Sequence, residues 1–298
     1  MSQTDQTELC NVIMEHCRVR NAFLKSKNAI INRTASSIAT VIGYHSGMEE
    51  VDRKKQYNAA RDFVVKRIAG KEAQMDGELS DRQRLAIEAL VGGVMGSAQA
   101  FTEQENVYKK ELTKLGRQLE IWERWAKDVR GISEFGLSVV VGEIGNLDNY
   151  PNPAKVWKRM GCAPYEKNGE TKAPSTWRSK GGLKSEDWEI LGYSPRRRSV
   201  IYNLAASIIK ANPKDSGSEF RARYDEAKEL GLEKHPDWSL GHAHNHGMLL
   251  CGKRFLRELW INWTEPDSEL SPISEVSEPV VTTTERVPFA ITEELSLK

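Results

Sequence analysis

No run of eighteen apolar residues occurs in the 298-residue sequence, which predicts that no segment spans a bilayer and that no membrane is a partner. The opening MSQTDQTELCNVIMEHC carries acidic residues where a secretory signal needs lysines and then an apolar block. Cysteine is scarce: Cys10, Cys17, Cys162 and Cys251 are all there is, and only the first pair is close, spaced seven apart. This spacing fits neither a zinc site nor a disulfide framework, so the expectation is free thiols in a reducing cytoplasm. Residues 1–130 also lack strand alternation and βαβ spacing, which excludes an α/β sheet there.

Net charge is almost absent at +1, but it is unevenly spread. Between 153 and 200 there are eleven Lys/Arg against five Asp/Glu; between 264 and 298 there are two against eight. A basic middle with an acidic tail predicts a polyanion-binding surface, with the tail either competing for it or keeping the chain soluble. The plainer alternative is scattered solvated charge.

The chain does contain helical periodicity. Leu9, Ile13, Cys17, Phe23, Leu24, Ile30 and Ile31 form one apolar stripe, and Val51, Tyr57, Phe63, Val64 and Ile68 a second. Ser80 with Gln83 three residues later is a capping-box start for a third helix, with Gly92-Gly93 as its weak point. Leu112, Leu115, Leu119, Trp122, Ala126 and Val129 recur at heptad spacing in a proline-free segment. The spacing predicts a helix ending near Arg130, as an intra- or intermolecular coiled coil or as an amphipathic helix packed on its own core. An intermolecular pairing would make the chain a homo-oligomer. Residues 150–195 are rich in Gly, Pro, Lys and Trp and read as loop-dominated. After Trp263 the composition turns acidic and rich in Ser, Thr and Pro, which predicts a disordered tail over 264–298.

The segment GISEFGLSVVVGEIG, 131–145, places Gly131, Gly136, Gly142 and Gly145 among apolar residues. Glycine weakens helices, so the cluster implies a turn with positive φ or a close approach. One reading is a helix-hairpin-helix whose turn amides, around Gly131 and Gly136, hold a backbone phosphate. The other is an αα-turn with a glycine cap.

The end of this segment and the residues beyond it carry a resemblance. Gly142, Glu143, Gly145, Tyr150, Pro151, Gly161, Ala163, Pro164, Arg223–Tyr224, Lys253 and Leu256 stand in the order of a family pattern. Over roughly 108–263 the chain resembles the C-terminal domain of the bridge-RNA-guided insertion-sequence transposases, which include the Piv-type DNA invertases. The resemblance implies a mostly α fold. A helical region at 1–107 and a coiled-coil helix at 108–130 would precede a helix-hairpin-helix transposase-like domain at 131–263. It also implies a bacterial, cytoplasmic, nucleoid-associated protein that works on DNA in transposition or site-specific recombination, with a guide RNA as a further partner. The resolvase-like N-terminal domain with four acidic metal ligands has no counterpart here. Lys167-Asn168 stand where the family's nucleophilic serine is expected, which leaves Ser175 and Ser179 as candidates and magnesium as a cofactor only if the chain cuts. No cofactor is otherwise indicated.

Lys155, Lys158, Arg159, Lys172, Arg178, Lys180 and the run Arg196-Arg197-Arg198 are the expected phosphate-binding cations. The arginine run opens a helix, where cations oppose the dipole, so an outside anion is the better reason for them. Trp177 and Trp188 interleave with basic residues and suit base stacking, whereas Trp157 reads as core. In GHAHNHG, His242 and His246 share a helix face, but no third ligand is evident, so a capping or phosphate-facing role is expected and no metal. Two rival readings remain: a non-catalytic DNA- or RNA-binding accessory protein derived from a transposase, and a helical scaffold whose basic residues are dispersed.

Overall fold

The computed structural model describes residues 3–75, 77–167, 170–172 and 194–264. The protein is mostly α-helical. Among the described residues nine α-helices run as α1 (Gln3–Val41), α2 (Glu50–Ile68), α3 (Asp81–Gln118), α4 (Glu120–Arg124), α5 (Glu134–Ile144), α6 (Pro153–Arg159), α7 (Pro195–Ala211), α8 (Glu219–Lys234) and α9 (Leu240–Thr264). Strands β1 (Tyr165–Lys167) and β2 (Glu170–Lys172) pair antiparallel with Tyr165 opposite Lys172. By length and composition α3 is apolar enough to cross a membrane, and only 17% of its apolar stretch is buried.

Helices α1 and α3 lie antiparallel. Gln83 Nε2 donates to Val41 O at 3.0 Å near one end, and Phe23 meets Phe101 and Tyr108 farther along. The α1 stripe divides between two cores. Leu9, Ile13 and Cys17 enter the larger one with α5, α7 and α9. Ile31, Ala35, Ile38 and Ala39 enter the smaller one with Phe63 and Val64 of α2 and Ile87 and Val91 of α3. Between the cores Glu105 pairs with Arg20 at 2.8 Å and with Lys27. An ion pair there sets the register of two long helices where apolar contacts alone would tolerate sliding.

The third helix starts as its capping box predicts: Ser80 Oγ accepts from Gln83 N, and Gln83 Oε1 accepts from Ser80 N at 3.0 Å. It continues through Gly92-Gly93 without a break, because the buried Ile87, Val91 and Ala98 on either side hold it on its neighbours. It ends at Gln118 rather than near Arg130, with Leu119 extended. Just before that end α3 crosses α5 tightly: a Cβ on Gly116 would lie 2.3 Å from Glu134 O. Past that point the chain turns into the short α4, whose Ile121 is buried in the larger core. The heptad positions Leu112, Leu119, Ala126 and Val129 are all buried in the chain's own core.

The expectation of a loop-dominated 150–195 is corrected at its start, where α6 and the β1–β2 hairpin form. Asn152 Oδ1 accepts from Lys155 N at 3.2 Å, and Pro153 occupies the first helical turn, where its missing N–H costs nothing. Thr264 closes α9; the rest of the expected tail, 265–298, lies outside the described residues.

Candidate nucleic-acid interface

Helix α5 is short, apolar and wedged between α1, α3 and α7. Its glycines serve that packing. A Cβ on Gly142 would lie 2.3 Å from Cys17 Sγ of α1. Gly131, at φ 96°, brings the turn so close to α7 that a Cβ would lie 2.6 Å from Ser207 O. The amides at the turn are used internally: Gly136 N donates to Ser133 Oγ at 3.1 Å, and Leu137 N to Ser133 O at 2.9 Å. The segment expected to touch phosphate thus also serves as a joint between helices.

Glu143 stands near the C-terminal end of α5, and cations gather on it. Arg196 at the start of α7 lies 2.6 Å from Glu143 Oε1, and Arg197 Nε lies 3.6 Å from Oε2. Arg159 Nε, from the end of α6, donates to the Glu143 backbone O at 3.4 Å. Arg198 donates to Gly161 O at 3.3 Å, in the turn after α6. Four guanidinium groups thus gather near the meeting of α5, α6 and α7, and among the described residues Glu143 is the carboxylate that the structure pairs with them. Glu143 answers part of the expectation of an anion at the start of α7, because a helix N-terminus favours a carboxylate. Arg196 remains 37% exposed, so its guanidinium is open to solvent beside that contact.

The surrounding scaffold holds α6 in place. Trp157 Nε1 donates to Lys253 O at 2.9 Å and lies beneath Lys253 Nζ, so it packs on the core as expected. Tyr150 Oη donates to Ile144 O at 2.8 Å, while its carbonyl accepts from Trp260 Nε1 at 2.9 Å. Lys155 and Lys158 occupy the exposed side of α6. Lys172 ends β2. Ser175, Arg178, Ser179, Lys180, Trp177 and Trp188 lie outside the described residues, as does Asn168.

The arginines and the hairpin glycines do not form one site. Gly131 meets α7 at Ser207 and Ile208, eleven residues beyond Arg196, or about 16 Å along the helix axis. The expected phosphate-binding set therefore separates into a basic cluster and a packing joint.

The histidines form a different constellation. Trp238 stacks with His235 and with His242, both at 4.4 Å. His244 Nδ1 is 2.7 Å from Tyr224 Oη. Among the described residues no three His, Cys, Asp or Glu converge in a metal-ligating group. Beside this constellation lies a cavity of about 800 Å³ lined by Arg198, Tyr202, Trp238, His242, Asn245 and His246. In the sequence its histidines raise only a metal question; the approach of α7 that makes them a wall leaves no mark in local periodicity. All four cysteines are buried, and burial pushes each thiol up to about 12. No family model, curated protein or solved structure matches the chain.

Proposed function

We propose that the protein binds nucleic acid through backbone phosphates at the cluster formed by Arg159, Arg196, Arg197 and Arg198, and acts in DNA transposition or recombination like the transposase family it resembles. The observation that carries the binding step is that Arg159, Arg196 and Arg197, from the end of α6 and the start of α7, contact Glu143 at the end of α5, while Arg198 reaches Gly161 O in the turn after α6. A scaffold role would leave the basic residues dispersed, whereas this grouping suits phosphate, which arginine recognises in a bidentate manner. Such contacts position a strand without reading its sequence.

Anisotropy titration of a labelled blunt duplex across a salt series tests this. Binding should weaken steeply with salt, since each neutralised phosphate contributes a slope of about −0.9. The double variant Arg196→Gln, Arg197→Gln should lose affinity and reduce that slope by about two. A salt-independent Kd, or an unchanged slope in the variant, overturns the reading.

On catalysis we infer a binding rather than a cutting role for the chain acting alone, because by the resemblance Lys167-Asn168 stand where the family's nucleophilic serine is expected. Incubation with magnesium and end-labelled DNA should give complexes but neither nicks nor a covalent adduct. An adduct abolished by Ser175→Ala or Ser179→Ala would overturn this and identify the nucleophile.

A further inference from the structure

One turn beyond the arginine cluster, α7 forms a wall of the cavity beside Trp238, with Arg198 belonging to both. The volume of about 800 Å³ is within the range of ligand-sized pockets. The chemistry of the walls is specific. His242 is exposed, and one face of its ring lies on Trp238 at 4.4 Å with only 5° between the planes. Trp238 in turn stacks with His235 at 11°. A stack of parallel rings therefore reaches the cavity and ends in an imidazole. Tyr202, 39% exposed, presents a second aromatic ring from α7. Its hydroxyl donates to Asn245 Oδ1 at 3.2 Å, which orients the amide and leaves Nδ2 without a partner among the described residues. Arg198 contributes a cation, and the N-terminus of α9, capped by Ser239, lines the same space with its positive dipole end.

Stacking rings, an oriented amide donor and an adjacent arginine make up the recognition set for an unpaired nucleotide. Bases freed from a duplex stack on aromatic or histidine rings and are read along their edges by amide side chains. We propose that this cavity takes one unpaired nucleotide, its base stacked on His242 beside Tyr202, its edge accepting from Asn245 Nδ2 and its phosphate at Arg198. The inference rests on the nucleic-acid reading and deepens it: phosphates of the strand lie on the arginine cluster while a frayed, overhanging or extruded base enters the cavity. The same groups would accept a free nucleotide, a source the test separates.

The full chain is titrated with a duplex carrying a single-stranded overhang that contains 2-aminopurine, with the blunt duplex, and with 2-aminopurine riboside monophosphate. The overhang should bind about tenfold more tightly than the blunt duplex, a gain typical of one stacked base, and its fluorescence should fall as the base stacks. Tyr202→Leu and Asn245→Ala should each remove the gain and the quench while leaving the blunt-duplex Kd and the circular dichroism unchanged. Tyr202→Phe, which keeps the ring but loses the hydroxyl that orients Asn245, should retain the quench and lose part of the gain. Equal binding of blunt and overhanging duplex with no quench overturns the cavity proposal and leaves the arginine cluster standing. Absence of binding to either duplex overturns both readings. Saturation by the free nucleotide at the same concentration as the overhang overturns the role for a strand.

Discussion

Glu143 Oε1 lies 2.6 Å from Arg196 Nη2, which places this carboxylate in direct competition with any phosphate that approaches the basic cluster. Neutralising that carboxylate should favour the external anion. Glu143→Gln is expected to tighten duplex binding several-fold at low salt and to steepen the salt slope by up to about one. The side chain is 12% exposed and remains a hydrogen-bond acceptor as glutamine, so the fold should hold. Anisotropy at three salt concentrations checks this; weaker binding by the variant would mean that Glu143 organises the arginines more than it occupies them.

The glycines of 131–145 divide by what surrounds them. Gly142→Ala forces a methyl group to 2.3 Å from Cys17 Sγ and should cost about 1–3 kcal/mol, as overpacking does. At Gly136 a methyl meets Ser133 Oγ and Leu204 Cδ1 no closer than 3.4 Å, so Gly136→Ala should leave stability unchanged or raise it by about 0.5–1 kcal/mol. Urea denaturation of the two variants measures the difference. Similar midpoints would refute the close crossing of α1 and α5.

Glu258 is buried on α9, 3.8 Å from Arg254 and 3.5 Å from Arg257. Burial raises its carboxyl above the ordinary value, and the two arginines offset this only in part. A raised folded value means the protonated form suits the native state. The resulting stability is fully present below the unfolded value and is lost as pH rises through the folded one. Relative to wild type, Glu258→Gln should therefore gain in Tm as pH is raised from about 4 to 7. A variant that loses Tm at neutral pH would show that the ion pairs dominate.

Thiol chemistry offers an independent check of the core. With each cysteine pushed up to about 12 by burial, only about one thiol in ten thousand is ionised at pH 8, and thiolate is the reactive form. Ellman's reagent should label none of the four in the native protein and all four in denaturant. Rapid native labelling of Cys17 would place the α1–α5 contact in error.

Much of the helical framework is legible in the residues themselves. The Ser80–Gln83 box and the apolar stripes act within one or two turns, where side-chain spacing alone determines which face is buried. The heptad recurrence through 112–129 correctly marks residues that face a core, because periodicity reports burial. It does not report what covers the face, nor that α3 stops at Gln118, just past its close crossing with α5 at Gly116. The same limit governs the site. Glycines and arginines in neighbouring segments look alike whether they meet a phosphate or another helix. Only the tertiary structure sets Gly131 on the backbone of α7, brings Arg159, Arg196 and Arg197 onto Glu143 at the end of α5, and closes α7 against α9 to make a cavity out of Tyr202, His242 and Asn245. Those relations span tens of residues, and they depend on helix directions that local side-chain chemistry leaves undetermined.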